Sequence, residues 1–511
     1  MRKIWLALFL VLVFGIVGAP LADAYKGKVT IALRIEPPSY DPHIISHGVA
    51  SIVWRWPYDT LLSQETGTGK IIPWLATKWK KLSPTKTKFW LRKGVKFTDG
   101  TPFTSEAVKY SIGRIMDPKN KSTQRAYHAK PFDRIEIIDD HTLIWHHKVH
   151  WGGFFNRISA GVHIMSPKTK GMKKGILSRN TFGTGAYILK SWTKGMKAVF
   201  EANPDWWGNS RYPNRPKTVV LRRIKESATR VKALIAGEVD VIRGVGHQFI
   251  PELERNPNTV VGSVPAIRVC WVSFATRFGG PFLDRKVRKA VNYAIDSESI
   301  RKTLLGGMAD TFDQVYHPWC FSGYNPNKRW YRYDLEAAKA LMKESSYPNG
   351  FKAVLFTTHK RYAFDVDVAV AVARMLKKIG IDVTIKTVVF PVYRRLFRNY
   401  QTGKTKGAAM VFRCFGNRSG DPAGVARSTL SCTGAWSLDC FKDLDAQIDK
   451  ASATVDPKQR QIEYEKVTDM IKKRALHRIF FKLRDIFAYR KGLKFSPRHD
   501  ETLFAFDIAV E

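Results

Sequence analysis

Apolar and polar positions change period repeatedly along this chain, and each change marks an element. Phe89, Leu91, Val95 and Phe97 alternate with polar neighbours, which predicts a strand segment, and Asp99-Gly100 predicts a tight turn after it. Thr104 then stands as an N-cap, and Val108, Ile112, Ile115 and Met116 recur at i, i+4, i+7 and i+8. That spacing predicts a helix with one face on a core and Lys109 outside. Further on, Val231, Leu234 and Ile235 form the inward stripe of a helix over 229–236, which Gly237 stops before a strand over 239–242. Asp284 and Asp296 are N-cap candidates for two successive helices. Val368, Val372, Met375, Leu376 and Ile379 make a helical stripe that ends at Gly380 and passes into the β-branched run 381–389. Asp456-Pro457 supplies an N-cap and an N1 proline for a helix through about Lys473 that carries Ile462, Val467, Met470 and Ile471. Helices alternating with strands in this way predict an α/β fold of mixed sheets flanked by helices.

The first residues read differently. Arg2-Lys3 precedes an apolar run from Ile4 to about Val17, and Ala22-Asp23-Ala24 is a small-x-small pattern before Tyr25. Residues 1–24 are expected to be a cleaved signal peptide, because the apolar run falls short of the roughly 20 residues that span a bilayer. The rest is too long for a single core, so two or three domains are expected. With 44% hydrophobic and 12% aromatic residues the composition is that of a globular chain.

Charge adds a question rather than an answer. The formal net charge is +41, which invites a nucleic-acid reading. The basic residues are scattered, however, and the cluster Arg285-Lys286-Val287-Arg288-Lys289 has Val287 and Val291 at helical spacing, as the solvated side of an amphipathic helix would. Neither zinc-finger spacing nor an RNA-recognition aromatic motif occurs, so solubility or attraction to an anionic surface is the expected role of the charge.

Residues 91–114 resemble the signature of the family 5 extracellular solute-binding proteins, the peptide, nickel and opine receptors of ABC importers. More than half of the positions match without gaps. Ala107 departs from it, standing where the family has an acidic residue that closes a capping box. The resemblance continues in the family's order through Tyr40-Asp41-Pro42, Tyr58-Asp59-Thr60-Leu61, residues 72–79, Gly183-Thr184-Gly185-Ala186-Tyr187 and Asn203-Pro204-Asp205-Trp206-Trp207. It implies a two-lobed periplasmic binding protein with an additional domain. On that template residues 25–65, 186–266 and 488–511 form the first lobe, 66–185 the additional domain and 267–487 the second lobe. It also implies an exported, non-enzymatic monomer that takes up a small-molecule or short peptide ligand and docks on an inner-membrane ABC permease, with no cofactor and no nucleic acid.

Enzyme motifs fail on detail. Gly403-Lys404-Thr405 lacks the earlier P-loop glycine, whose place is held by Arg398, and Gly183-x-Gly185 lacks the third glycine of a dinucleotide fingerprint at Ile188. No Gly-x-Ser-x-Gly elbow is present. A secreted hydrolase with an unrecognised site is the competing class, and a basic nucleic-acid binder the third. His146, His147 and His150 suggest a metal cluster, but residues 142–149 read as a strand, which sends His146 and His147 to opposite faces.

The ligand site is read through the resemblance. In peptide-binding relatives a segment after a second-lobe strand carries an aspartate that pairs with the peptide's α-amino group. Aligned on Asp421-Pro422, that position here is Arg418, and Phe415 stands in place of a tryptophan. A guanidinium repels an ammonium group and suits a carboxylate or phosphate instead. The other reading is that Arg418 points into solvent. Trp436, His47 and Tyr40 are cleft candidates by position, and Arg413 is a weaker one, since strand alternation could bury or expose it. Relatives with a local bridge in the corresponding loop imply a disulfide between Cys432 and Cys440. The family places Cys270 and Cys414 in one lobe, which permits a second bridge and leaves Cys320 unpaired.

Overall fold

The computed structural model describes residues 27–44, 50–125, 131–359, 361–362 and 364–510, so the expected signal peptide and His47 lie outside the described residues. Eleven of the described strands form one mixed sheet that runs through both lobes. From one edge the order is 381–388, 351–358, 409–416, 259–274, 477–490, 241–243, 28–33, 218–223, 197–202 and 187–193, with 309–311 paired to the side of 477–490.

The two long strands, Thr259–Phe274 and His477–Arg490, connect the halves. They pair antiparallel from Thr259 opposite Arg490 to Ser273 opposite His477, with the register slipping between Pro265 and Val269. Pro265 has no N–H to give the ladder, which favours an irregularity there. On one side of the slip the strands face cores that gather Ile31, Phe200, Val241, Ile486 and Phe487. On the other they face cores that gather Cys270, Val291, Val372, Phe412 and Phe480. Phe89, Val108 and Trp145, from the expected additional domain, share one continuous apolar cluster with Val29 and Val219.

The second lobe contains the βαβ unit its pattern predicts. Phe351–Thr358 pairs parallel with Ile381–Val388, with helix Asp365–Lys377 between them and Gly380 at φ +80°. Asp284, Asp296 and Asp456 each accept a backbone N–H at the start of a helix, as N-caps should. Some inward assignments fail: Ile235 and Ile462 are exposed on their helices.

The segment 91–114 also differs from its pattern. The strand Lys86–Leu91 stops early, and Val95 and Phe97 are buried from the turn that follows. Helix Ser105–Met116 begins after Thr104 in extended conformation, without a side-chain cap bond. Ala107, where the capping-box partner would be, is fully buried, so the position contributes packing instead of a cap.

Two disulfides are present. Cys270 and Cys414 face each other in register across the strands 259–274 and 409–416, and Cys432 pairs with Cys440. Cys320 is free and buried.

Candidate functional site

The strand Ala409–Gly416 ends in the loop Asn417–Gly420, which leads into helix Pro422–Thr429, capped by Asp421. This loop carries Arg418 to the junction of the two lobes, where its Nε donates to the Asp500 carbonyl oxygen at 3.2 Å. Arg418 is half-buried and lines a cavity of about 20 Å³ together with Arg55, Arg498, Asp500, His163 and Gln64. Burial pushes the Arg418 guanidinium down to about 10, against the pull of Glu501 and Asp500.

Arg55 reaches the same cavity from the turn after the short helix Ala50–Val53. It donates to Ser63 Oγ at 3.2 Å and to Thr60, and lies 5.2 Å from the ring centres of both Trp74 and Phe504. Its Nε is buried without a hydrogen-bond partner, as is His163 Nδ1. Burial pushes Arg55 down to about 10, with Asp59 pulling the other way. Arg498 comes from the C-terminal segment, where it grips the Asp500 carboxylate at 2.6 Å and lies 4.2 Å from the Phe504 ring centre. That pairing holds Asp500 well below the usual carboxylate range despite burial.

The Gly-Thr-Gly motif secures the Arg55 turn. Gly185 N–H donates to the Pro57 carbonyl at 3.1 Å, and Thr184 Oγ1 donates to Asp59 at 3.0 Å. A Cβ on Gly185 would lie 2.4 Å from the Trp56 carbonyl oxygen, so the backbones meet where only glycine fits. Asp59 also accepts from Trp74 at 2.6 Å and Trp207 at 3.0 Å, and so its carboxylate is committed to structure.

Three guanidinium groups and one carboxylate therefore surround the cavity, and that carboxylate is already paired. Beside it, Glu501 binds Arg268 at 2.6 Å and also attracts Arg418, and Asp485 binds Arg243 at 2.6 Å. The surroundings favour an anion.

Segments distant in the chain touch around this site. Gln64 Nε2 donates to the Ser419 carbonyl at 3.3 Å, and Gly152 N–H to the Ser452 carbonyl at 3.3 Å. A Cβ on Gly153 would fall 1.4 Å from Asp421 Oδ2, inside the Asp421–Arg460 ion pair of 2.6 Å. Gly153 has φ −87°, which alanine adopts freely, so a methyl there obstructs the contact with Asp421 and not its own backbone. Gly153→Ala is expected to weaken solute affinity about tenfold, measured by calorimetry, while leaving the thermal transition of the ligand-free protein within a few degrees. Unchanged affinity would mean that the closed contact plays no part in binding.

The other sequence candidates sit elsewhere. Tyr40 is fully buried and packs edge-on against Trp192 at 5.1 Å and Phe200 at 5.6 Å, so it is a core residue. Arg413 is buried too, donating to Ser273 Oγ at 2.9 Å and to the Trp436 carbonyl while lying over Trp271 and Phe397. Trp436 stacks with Phe390 at 5.9 Å, and Phe415 is half-buried, 6.3 Å from Trp271. None of these four lines the Arg418 cavity. Arg55, His163, Arg498 and Asp500 carry no local motif, and sequence reasoning missed them. His146 and His147 do point apart: one meets Glu136 at 2.7 Å, the other packs 4.3 Å from the Phe154 ring centre. Among the described residues no group of histidine, cysteine or carboxylate side chains is arranged to hold a metal ion.

Comparison with known proteins places this architecture. The family model described as bacterial extracellular solute-binding proteins, family 5 Middle, matches residues 70–437. The chain belongs to this family. The glutathione-binding protein GsiB of Escherichia coli strain K12 is 27% identical over 391 residues, covering 75% of this chain and 74% of that one. The periplasmic binding protein DppA of Helicobacter pylori, solved with the peptide STSA, is 26% identical with a TM-score of 0.80, covering 95% of this chain and 98% of that chain. AgaA from A. tumefaciens R10, solved with agropinic acid, shares the fold at 23% identity and a TM-score of 0.78 over 95% and 99% of the two chains. This family 5 protein is a periplasmic solute-binding receptor of an ABC importer, and not an enzyme. Its partners are a small solute and the membrane permease.

Proposed function

We propose that this receptor captures a small anionic solute, or a peptide whose carboxylates dominate its recognition, with Arg418, Arg55 and Arg498 as the anion-binding groups. The observation that carries this reading is the excess of guanidinium over carboxylate around the cavity, together with the unpartnered Nε of Arg55. A ligand with a free α-amino group and no further acid would bring its ammonium toward Arg418. Glutathione, named for the GsiB relatives, carries two carboxylates and is compatible with this charge pattern.

A cavity of about 20 Å³ has room for about one water molecule, so a solute of a dozen or more atoms enters only when the lobes part. The division proposed is a signal peptide over 1–24, a first lobe from 25–65, 186–266 and 488–511, an additional domain over 66–185 and a second lobe over 267–487. The slip between Pro265 and Val269 lies where this division changes lobe.

A thermal-shift screen tests the ligand class. Organic dicarboxylates, N-blocked acidic peptides, glutathione and neutral free-amine dipeptides are compared at equal concentration. A ligand at about 100 times its Kd stabilises the folded state by about 2.7 kcal/mol. The stabilising compounds are expected among the first three groups. Equal or stronger stabilisation by neutral free-amine dipeptides would overturn the proposal.

A further inference from the structure

Away from the cleft, four strands form a second antiparallel sheet in the order 76–83, 86–91, 142–147, 132–139. Its inner side carries Phe89 and Trp145, both fully buried. Its other side carries Lys78 and Lys80 on the edge strand and Lys86, Lys88 and Trp90 on the next, placed on one face by the period-2 alternation within each strand and by the direct pairing of Lys78 with Trp90 and Lys80 with Lys88. Lys78, Lys80 and Lys86 are exposed, whereas Lys88 and Trp90 are half-buried.

The pairing is unusual in one respect. Lys80 stands directly opposite Lys88, and like charges in facing positions destabilise a sheet. Lys78 faces Trp90, and the ammonium groups of Lys78 and Lys88 lie 5.2 and 5.1 Å from its ring centre. Glu136, the nearest acid on this face by register, is two strands away and already engaged by His146 at 2.7 Å. Among the described residues no carboxylate lies within ion-pairing distance of these four lysines. Lysines on an edge strand also guard against edge-to-edge pairing, but that role asks nothing of Lys86, Lys88 or Trp90 on the inner neighbour.

We infer that this face docks on an anionic phospholipid bilayer. The lysines spread across two adjacent strands of one sheet face, and such a two-dimensional array of charge fits a planar layer of negative headgroups better than the rod of a nucleic acid duplex. Trp90, amphipathic and half-buried beside Lys78 and Lys88, is the side chain type that settles at a bilayer interface. The receptor hands its solute to a permease in the membrane, so this attraction would hold it near its partner. The inference is independent of the solute-binding site.

Sedimentation with vesicles tests it, using protein purified from the periplasm after export. Binding to vesicles of phosphatidylglycerol mixed with phosphatidylcholine is expected at low salt, with release at high salt and no binding to phosphatidylcholine alone. Lys80→Glu with Lys88→Glu should weaken binding by about tenfold or more. Arg394→Glu with Arg395→Glu, on the exposed side of helix Phe390–Gln401, makes the same change in net charge elsewhere and should weaken it less than about threefold. Equal loss in the two variants would reduce the effect to bulk charge and overturn the assignment. So would absence of vesicle binding, or binding to duplex DNA alone. Thermal melts confirm folding of each variant, and Arg418→Ala should leave vesicle binding unchanged.

Discussion

Replacement of Arg418 by alanine is expected to weaken binding of an anionic solute by about 100-fold, and replacement by lysine by about tenfold. Truncating one partner of a desolvated charge pair costs about 2–5 kcal/mol, and each 1.4 kcal/mol is a factor of ten. Lysine keeps the charge but loses the planar fork that meets a carboxylate at two points. The protein should tolerate the change. Arg418 is held near Asp500 and Glu501, but these acids keep Arg498 and Arg268 at 2.6 Å when it is gone. Arg418→Asp goes further, because it places an acceptor where the family resemblance implies one. That variant is expected to gain measurable affinity for free-amine dipeptides while losing the anionic solute. Isothermal titration of the three variants against the best ligand of the screen decides the matter. Affinities within about twofold of the unmodified receptor would remove Arg418 from the site.

Removal of the Cys270–Cys414 bridge by paired alanine substitution is expected to cost about 5 kcal/mol, and removal of Cys432–Cys440 about half as much. The difference comes from loop length: the first bridge spans a sequence separation of 144 and the second only 8, and a longer loop closed in the unfolded chain loses more entropy. Burial adds to the contrast. Cys270 and Cys414 face each other in central strands of the second lobe among Phe412, Phe480 and Val291, whereas Cys432 and Cys440 are half-buried beside Asp445 and Asp439. Urea denaturation of each double variant measures the costs. A smaller loss for the Cys270 and Cys414 variant than for the other would contradict the loop-entropy account.

The two predictions draw on information of different kinds. Asp284, Asp296 and Asp456 were legible as helix starts because a cap depends on three or four consecutive residues, and the structure places a backbone N–H on each. The glycines at 183 and 185 were legible only as a motif. Their reason appears when the Trp56–Tyr58 backbone is seen against them, about 130 residues away in the chain. The strand assigned to Val95 and Phe97 misled because alternation marks burial on one side without requiring a ladder partner, and both side chains are buried from a turn. Tyr40 was a cleft candidate by position and side-chain type, and Arg413 a weaker one whose burial strand alternation left open. Both are instead packed inside the protein, one in edge-on aromatic contacts and the other against Ser273 and the Trp271 ring.

The sequence by itself determined the family, the α/β alternation, the aspartate caps at 284, 296 and 456 and the arginine at position 418. Those properties live in short spans of chain, where periodicity, turn chemistry and a run of matched residues are visible without partners. Only the tertiary structure decided what surrounds that arginine. Arg55, His163, Arg418 and Arg498 come from four separate stretches of the chain, and no local pattern records that a central sheet with two long paired strands folds them onto one cavity. Whether a charge in this chain is a solvated lysine or a desolvated anion site depends on which carboxylates reach it, and that is set by packing alone.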